Sequence, residues 1–121
     1  MKTLRLSMPE PTESELQGAL IRRLVRSGWL VVRVNSGAFK TEKGAFFRAY
    51  IVAGLNVSSG FPDVLAVRAD VFGNVCARLF EVKRRGGKRS EAQTRFADYA
   101  LASGVRVEVV EGLDGLERLS I

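Results

Sequence analysis

Residues 60–93, GFPDVLAVRADVFGNVCARLFEVKRRGGKRSEAQ, decide how this chain is read. Two apolar runs, Val64 to Ala69 and Val75 to Val82, flank Asp70-Val-Phe-Gly-Asn74. Such runs bounded by turn residues predict two antiparallel strands, with Gly73 at the left-handed position of the turn. A hairpin that turns around Phe72 sets Asp63 directly opposite Glu81. Side chains alternate along a strand, so Glu81 and Lys83 project from one face of the sheet. Directly opposed residues share that face, with Cβ atoms about 4.5–5.5 Å apart. The turn alone therefore brings two carboxylates and an ammonium together.

The flanks extend the sheet. Ser90-Glu-Ala-Gln93 is a capping box that opens a helix running to about Ser103, and Val105 to Val110 alternates as a strand. Leu113, Leu116 and Leu119 suggest a short closing helix. Upstream, Thr12-Glu-Ser-Glu15 is a second capping box. The helix it opens carries Leu16, Ala19, Leu20 and Leu24 at helical spacing and stops at Gly28. Trp29 to Asn35 reads as a strand, Ser36 to Gly44 as a polar loop, Phe46 to Val52 as a short strand and Gly54 to Gly60 as loop. Pro9 and Pro11 make residues 1–11 an arm. The order implies an α/β fold, a mixed sheet with helices on its faces, and the length suits a single domain over residues 1–121.

Composition narrows the chemistry. The 121 residues include one cysteine, Cys76, and no histidine, so an intrachain disulfide and every histidine-based catalytic or zinc arrangement are excluded. Cys76 itself, inside an apolar strand, is expected in the core. Nineteen Lys and Arg against thirteen Asp and Glu give a net charge of +6. The excess is concentrated: residues 16–59 hold seven basic side chains, Lys40 among them, against Glu42 alone, and residues 83–95 hold six against Glu91 alone. Paired basic segments of this kind point to nucleic acid, with Arg84, Arg85, Lys88 and Arg89 as backbone-contacting groups. No apolar run reaches the roughly 18 residues that cross a bilayer, and no apolar core of a secretory signal follows Lys2 and Arg5. A cytoplasmic location is expected.

Asp63 and Glu81 at hairpin distance repel each other and call for a cation between them. Two or three oxygens with open water positions suit Mg²⁺ or Mn²⁺. Lys83 beside such an ion can orient a water or stabilise charge on a phosphoryl oxygen. Each residue also has a plainer role available. Glu15 and Gln93 complete capping boxes, Asp63 can be a turn residue after Pro62, and Lys83 can snorkel from a strand end.

Asp63 followed by Glu81-Val82-Lys83, with Pro62-Asp63 intact, resembles the PD-(D/E)xK nuclease signature. The wider pattern resembles its VRR-NUC branch: Glu15 on the first helix, Gly60-Phe61-Pro62-Asp63, Glu81-Val82-Lys83, then Gln93 after a basic loop. Arg33-Val-Asn35-Ser36-Gly37 is similar to the strand and loop that the branch carries after its first helix, which adds Arg33, Asn35 and Ser36 to the expected DNA contacts. The resemblance implies a restriction-endonuclease-like fold and divalent-metal hydrolysis of phosphodiesters in branched DNA. It implies Asp63, Glu81 and the Val82 carbonyl as metal ligands, and catalytic roles for Glu15, Lys83 and Gln93. Stand-alone members are dimeric junction resolvases, so a homodimer that resolves four-way (Holliday) junctions is expected, with flap cleavage by a monomer as the rival. A non-catalytic nucleic-acid-binding module is the reading from a different class. It is disfavoured because carboxylates beside a phosphate weaken binding.

Overall fold

The computed structural model describes residues 9–34, 38–40, 42–44, 46–48 and 50–121. Helix α1 spans Glu13–Arg26, and strands β1 (Leu30–Arg33), β2 (Ala38–Lys40), β3 (Phe46–Arg48), β4 (Val64–Ala69) and β5 (Val75–Lys83) follow. Helix α2 (Glu91–Ala102), strand β6 (Val107–Glu111) and helix α3 (Gly112–Arg118) complete the chain. The main sheet has the order β1-β4-β5-β6, antiparallel except for the parallel β5–β6 pair. This is the expected mixed α/β architecture, consistent with a restriction-endonuclease-like fold.

The hairpin turns where the sequence says it should. Val64 pairs with Phe80 and Ala69 with Val75, a register centred on Phe72. Asp70 holds the turn: its Oδ1 accepts from the N–H groups of Phe72 (2.8 Å) and Asn74 (2.9 Å), and Gly73 takes φ +82°. Both capping boxes form. Thr12 and Ser90 each accept from the third helical N–H, and Glu15 and Gln93 each accept from the N–H of their cap.

Two cores lie on opposite faces of the sheet. On one face Leu16, Leu20 and Leu24 of α1 and Leu116 of α3 pack on Val64, Ala66, Phe80 and Val82. On the other, Phe96 and Ala100 of α2 pack on Leu79 and Val107, with Phe61 and Leu65 alongside. The parallel β5–β6 pair requires a crossover, and α2 supplies it, so the start of α2 returns to the end of β5.

Three expectations are revised. Ser36 to Gly44 is not all loop, because β2 pairs with β3 in a separate two-stranded sheet; three residues are too few to show a period. The strand expected over Phe46 to Val52 ends at Arg48, and Val52 instead bridges Val57. Cys76 is exposed, because the first three residues of β5 lie at the uncovered tip of the hairpin.

Candidate nucleic-acid-processing site

Asp63 sits one residue before β4 and is fixed from both sides. Its backbone carbonyl accepts from Val34 N–H (2.8 Å), which carries the β1–β4 pairing one step further. Its carboxylate Oδ2 accepts from Val82 N–H (2.8 Å). The approach to it is equally constrained. Gly60 is buried with φ +88°, and a Cβ there would lie 2.3 Å from the Ala92 carbonyl oxygen. Only glycine lets the loop lie this close to the start of α2. Phe61 donates its N–H to the Tyr50 hydroxyl and sets its ring edge-on between Tyr50 and Phe96. Pro62 is fully buried.

Glu81 lies across from Asp63 in β5 and is 1% exposed, the one buried charged side chain among the described residues. Its Oε2 accepts from Arg89 Nε at 2.8 Å. Its Oε1 is buried with no hydrogen-bond partner. A buried ionised oxygen without a partner is costly, and such groups normally pair or coordinate a metal. Lys83 ends β5 with its side chain 12% exposed, its ammonium 3.9 Å from the Glu13 carboxylate.

Burial raises the Asp63 carboxyl above the usual aspartate range. The Val82 N–H opposes that shift, Glu13 adds to it, Lys83 opposes it and Glu81 adds to it. Three carboxylates and one lysine therefore share one electrostatic neighbourhood.

The sequence singles out Asp63, Glu81, Val82 and Lys83, and the structure brings them together. Arg89, expected at a phosphate, bridges to Glu81 instead of standing free. Glu15 is held at its capping box, Oε1 3.2 Å from Thr12 N, and lines a cleft with Glu111, Leu113 and Asp114. The first-turn acid that acts on Asp63 is Glu13, which the sequence reading missed. Gln93 accepts from Ser90 N–H (2.9 Å) at the end of α2 that faces Gly60. Arg84, Arg85 and Lys88 are exposed on the loop after β5, with Arg85 3.5 Å from Glu10. Arg33 is exposed at the end of β1. Asn35 and Ser36 lie outside the described residues. Lys40 belongs to β2, and its side chain also lies outside what is described.

The family model for the VRR-NUC domain matches residues 12–114, nearly the whole chain. The protein belongs to the VRR-NUC family. That membership makes it a nuclease-type protein whose substrate class is DNA, and it covers both capping boxes, the hairpin and the carboxylate pair in one match. No curated protein and no solved structure matches the chain. Among the described residues no helix of this VRR-NUC protein is long and apolar enough to cross a membrane.

A divalent cation fits the pair on one observation, the orphaned buried Oε1 of Glu81 opposite a carboxylate. Hard oxygen donors of this kind suit Mg²⁺ or Mn²⁺. Among the described residues no group of three or more cysteine or acidic side chains is placed to hold a metal ion, so the side-chain donors at this position are the two carboxylates of Asp63 and Glu81.

Proposed function

We propose that this protein is a Mg²⁺- or Mn²⁺-dependent, structure-selective DNA endonuclease that hydrolyses phosphodiester bonds. The observation that carries the reading is the buried, unpartnered Oε1 of Glu81 on a strand opposite Asp63. Asp63, Glu81 and the Val82 carbonyl would hold the ion. Bound there, it would supply Lewis-acid stabilisation of phosphoryl charge and an acidified water.

The chain's own groups do the rest. Val82 N–H fixes the Asp63 carboxylate by one oxygen, which sets its orientation. Lys83, anchored on the site side by Glu13, presents its ammonium to the nucleophile or to the phosphoryl oxygens. Gln93 spends its carbonyl on the Ser90 N–H, which leaves its amide NH₂ to donate to a water or a phosphate. Arg84, Arg85 and Lys88 hold the DNA backbone beside the cut. A non-catalytic binder would be weakened by Asp63 and Glu81 next to a phosphate, so the acids favour chemistry over binding alone.

The substrate we propose is a four-way junction, resolved by a symmetric homodimer in the reducing cytoplasm. One candidate site per chain accounts for one nick, resolution needs two opposed nicks, and a two-fold protein matches a two-fold substrate. Cleavage of labelled duplex, flap, single-strand and four-way-junction DNA, with Mg²⁺, Mn²⁺ or EDTA, tests both levels. Asp63→Ala and Glu81→Ala should each abolish cutting in every case while DNA binding without metal persists. Normal turnover in either variant rules out the site. Paired symmetric nicks on a junction support the resolvase; unpaired cuts by a monomer, seen by light scattering, support a flap nuclease.

A further inference from the structure

Arg89 is the cation that Glu81 actually touches. We infer that Arg89 stands in for the metal ion, neutralising Glu81 in the metal-free protein and releasing it to a DNA phosphate when the ion binds. The inference rests on the metal-dependent reading above. Its starting point is a contrast in burial: the Glu81 side chain is 1% exposed and the Arg89 side chain 31%. Glu81 cannot leave the strand, whereas Arg89 reaches inward from the loop after β5.

A carboxylate this buried needs a counter-charge. Arg89 provides one through a single bond, Nε to Oε2 at 2.8 Å, and leaves Oε1 unpartnered. A guanidinium there satisfies half of the carboxylate. A divalent ion drawn to Oε1 would share one buried carboxylate with that guanidinium, and two cations in a poorly screened site repel. Metal and Arg89 are therefore antagonists for Glu81. The loop gives the released arginine somewhere to go. Arg84, Arg85 and Lys88 are exposed on the same loop, so Arg89 joins a basic surface where phosphates would lie. Linkage makes the effect reciprocal: a DNA phosphate that takes Arg89 raises affinity for the metal, and the metal raises affinity for DNA.

The test measures Mn²⁺ binding by calorimetry, without DNA, on the wild-type chain, Arg89→Gln and Arg89→Lys. Arg89→Gln should bind Mn²⁺ about tenfold more tightly, and Arg89→Lys, which keeps the competing charge, should stay near wild type. A merely structural Arg89 would leave Mn²⁺ binding unchanged or weaker when neutralised, never tighter. Metal-free Arg89→Gln should also melt lower than wild type, with a larger rise on adding Mn²⁺, since a ligand that binds only the native state stabilises it by RT ln(1 + [L]/Kd), more for the tighter binder. Because the glutamine variant could fail to fold, the wild-type Arg89 Nε–H signal is followed by NMR during Mg²⁺ titration. It should move from a bonded to a solvent-exposed position. Unchanged or weaker Mn²⁺ binding by Arg89→Gln, or an Nε–H signal unmoved by Mg²⁺, overturns the inference and leaves the nuclease reading intact. Absence of Mn²⁺ binding to wild type and variants alike defeats both.

Discussion

Replacing Gly60 with alanine tests whether the loop before Asp63 is seated on α2 as described. Two costs apply. At φ +88° an L-residue is in the left-handed region, worth about 1–2 kcal/mol. The new Cβ would also lie 2.3 Å from the Ala92 carbonyl oxygen and 2.6 Å from its carbon, far inside the roughly 3.5 Å of a comfortable contact. Those are backbone atoms in the first turn of a capped helix, so they cannot swing aside as a side-chain tip would. Overpacking of this kind adds about 1–3 kcal/mol. The sum is about 2–5 kcal/mol, or roughly 10–20 °C in melting temperature for a domain near this size. Gly73 is the matched control: its φ is +82°, and a Cβ there meets nothing within 4 Å. Gly73→Ala should therefore lose only the conformational part, about 1–2 kcal/mol. Thermal and urea denaturation followed by circular dichroism measure both. Equal destabilisation by the two substitutions would refute the close approach of Gly60 to Ala92. Below its melting temperature, Gly60→Ala should also cut DNA poorly, because the strain is relieved by moving Phe61 to Asp63 away from Ser90 to Gln93.

The two first-turn acids of α1 are separable. Glu13→Gln removes the carboxylate beside Lys83 and should lower cleavage by about ten- to a hundredfold at unchanged stability, whereas Glu15→Gln keeps the capping box and should leave cleavage near wild type. The reverse pattern in single-turnover rates would place Glu15 in the site. The Asp63 carboxyl, raised chiefly by burial, gives a pH prediction. Protonation of a group with a raised folded pKa stabilises the fold fully below the unfolded value and is lost as pH rises through the folded value. Asp63→Asn should therefore melt higher than wild type at pH 7 in EDTA, and the advantage should vanish toward about pH 3.9, the ordinary aspartate value. An asparagine variant less stable than wild type at pH 7 would contradict the direction of that shift.

How much of this was legible in the sequence differs residue by residue. The hairpin was, because Asp70, Gly73 and Asn74 specify one turn and a turn specifies one register. Asp63 opposite Glu81 follows from that register alone. The capping boxes were legible too, since both partners of each lie three residues apart. Glu13 was not. It and Glu15 are two positions apart, about 200° around a helix, so they face different ways. Which of them meets the end of β5 depends on how α1 rests on the sheet, and that packing is long-range. Arg89 was hidden for a similar reason. Its neighbours in the basic loop have the same chemistry, and nothing local says which one turns back to Glu81. Cys76 misled because strand composition reports apolar character, while coverage of a strand end by a helix is set elsewhere in the chain.

The site also shows where stability and activity part company. Every other fully buried side chain in the two cores is apolar, and Glu81 stands among them with one oxygen unpartnered. A leucine or methionine at position 81 would fill similar volume without that penalty, so nothing in the packing asks for a carboxylate. Asp63 compounds the cost, since burial and its acidic neighbours all resist its ionisation. Among the described residues Trp29 Nε1 is the other buried polar side-chain atom left unpartnered, but only at the Asp63–Glu81 pair does such an atom belong to a carboxylate set opposite a second carboxylate, and local rules broken together in this way point to a place kept for chemistry. On the proposed metal-dependent reading, the same strain would supply a driving force for ion binding. An oxygen already stripped of water gives up little hydration when a cation arrives, and the mutual repulsion of Asp63 and Glu81 turns into shared attraction. The inferred exchange would then need a cation that can leave Glu81, and Arg89, reaching inward from a loop with its side chain 31% exposed, is better placed to leave than a lysine borne on the strand.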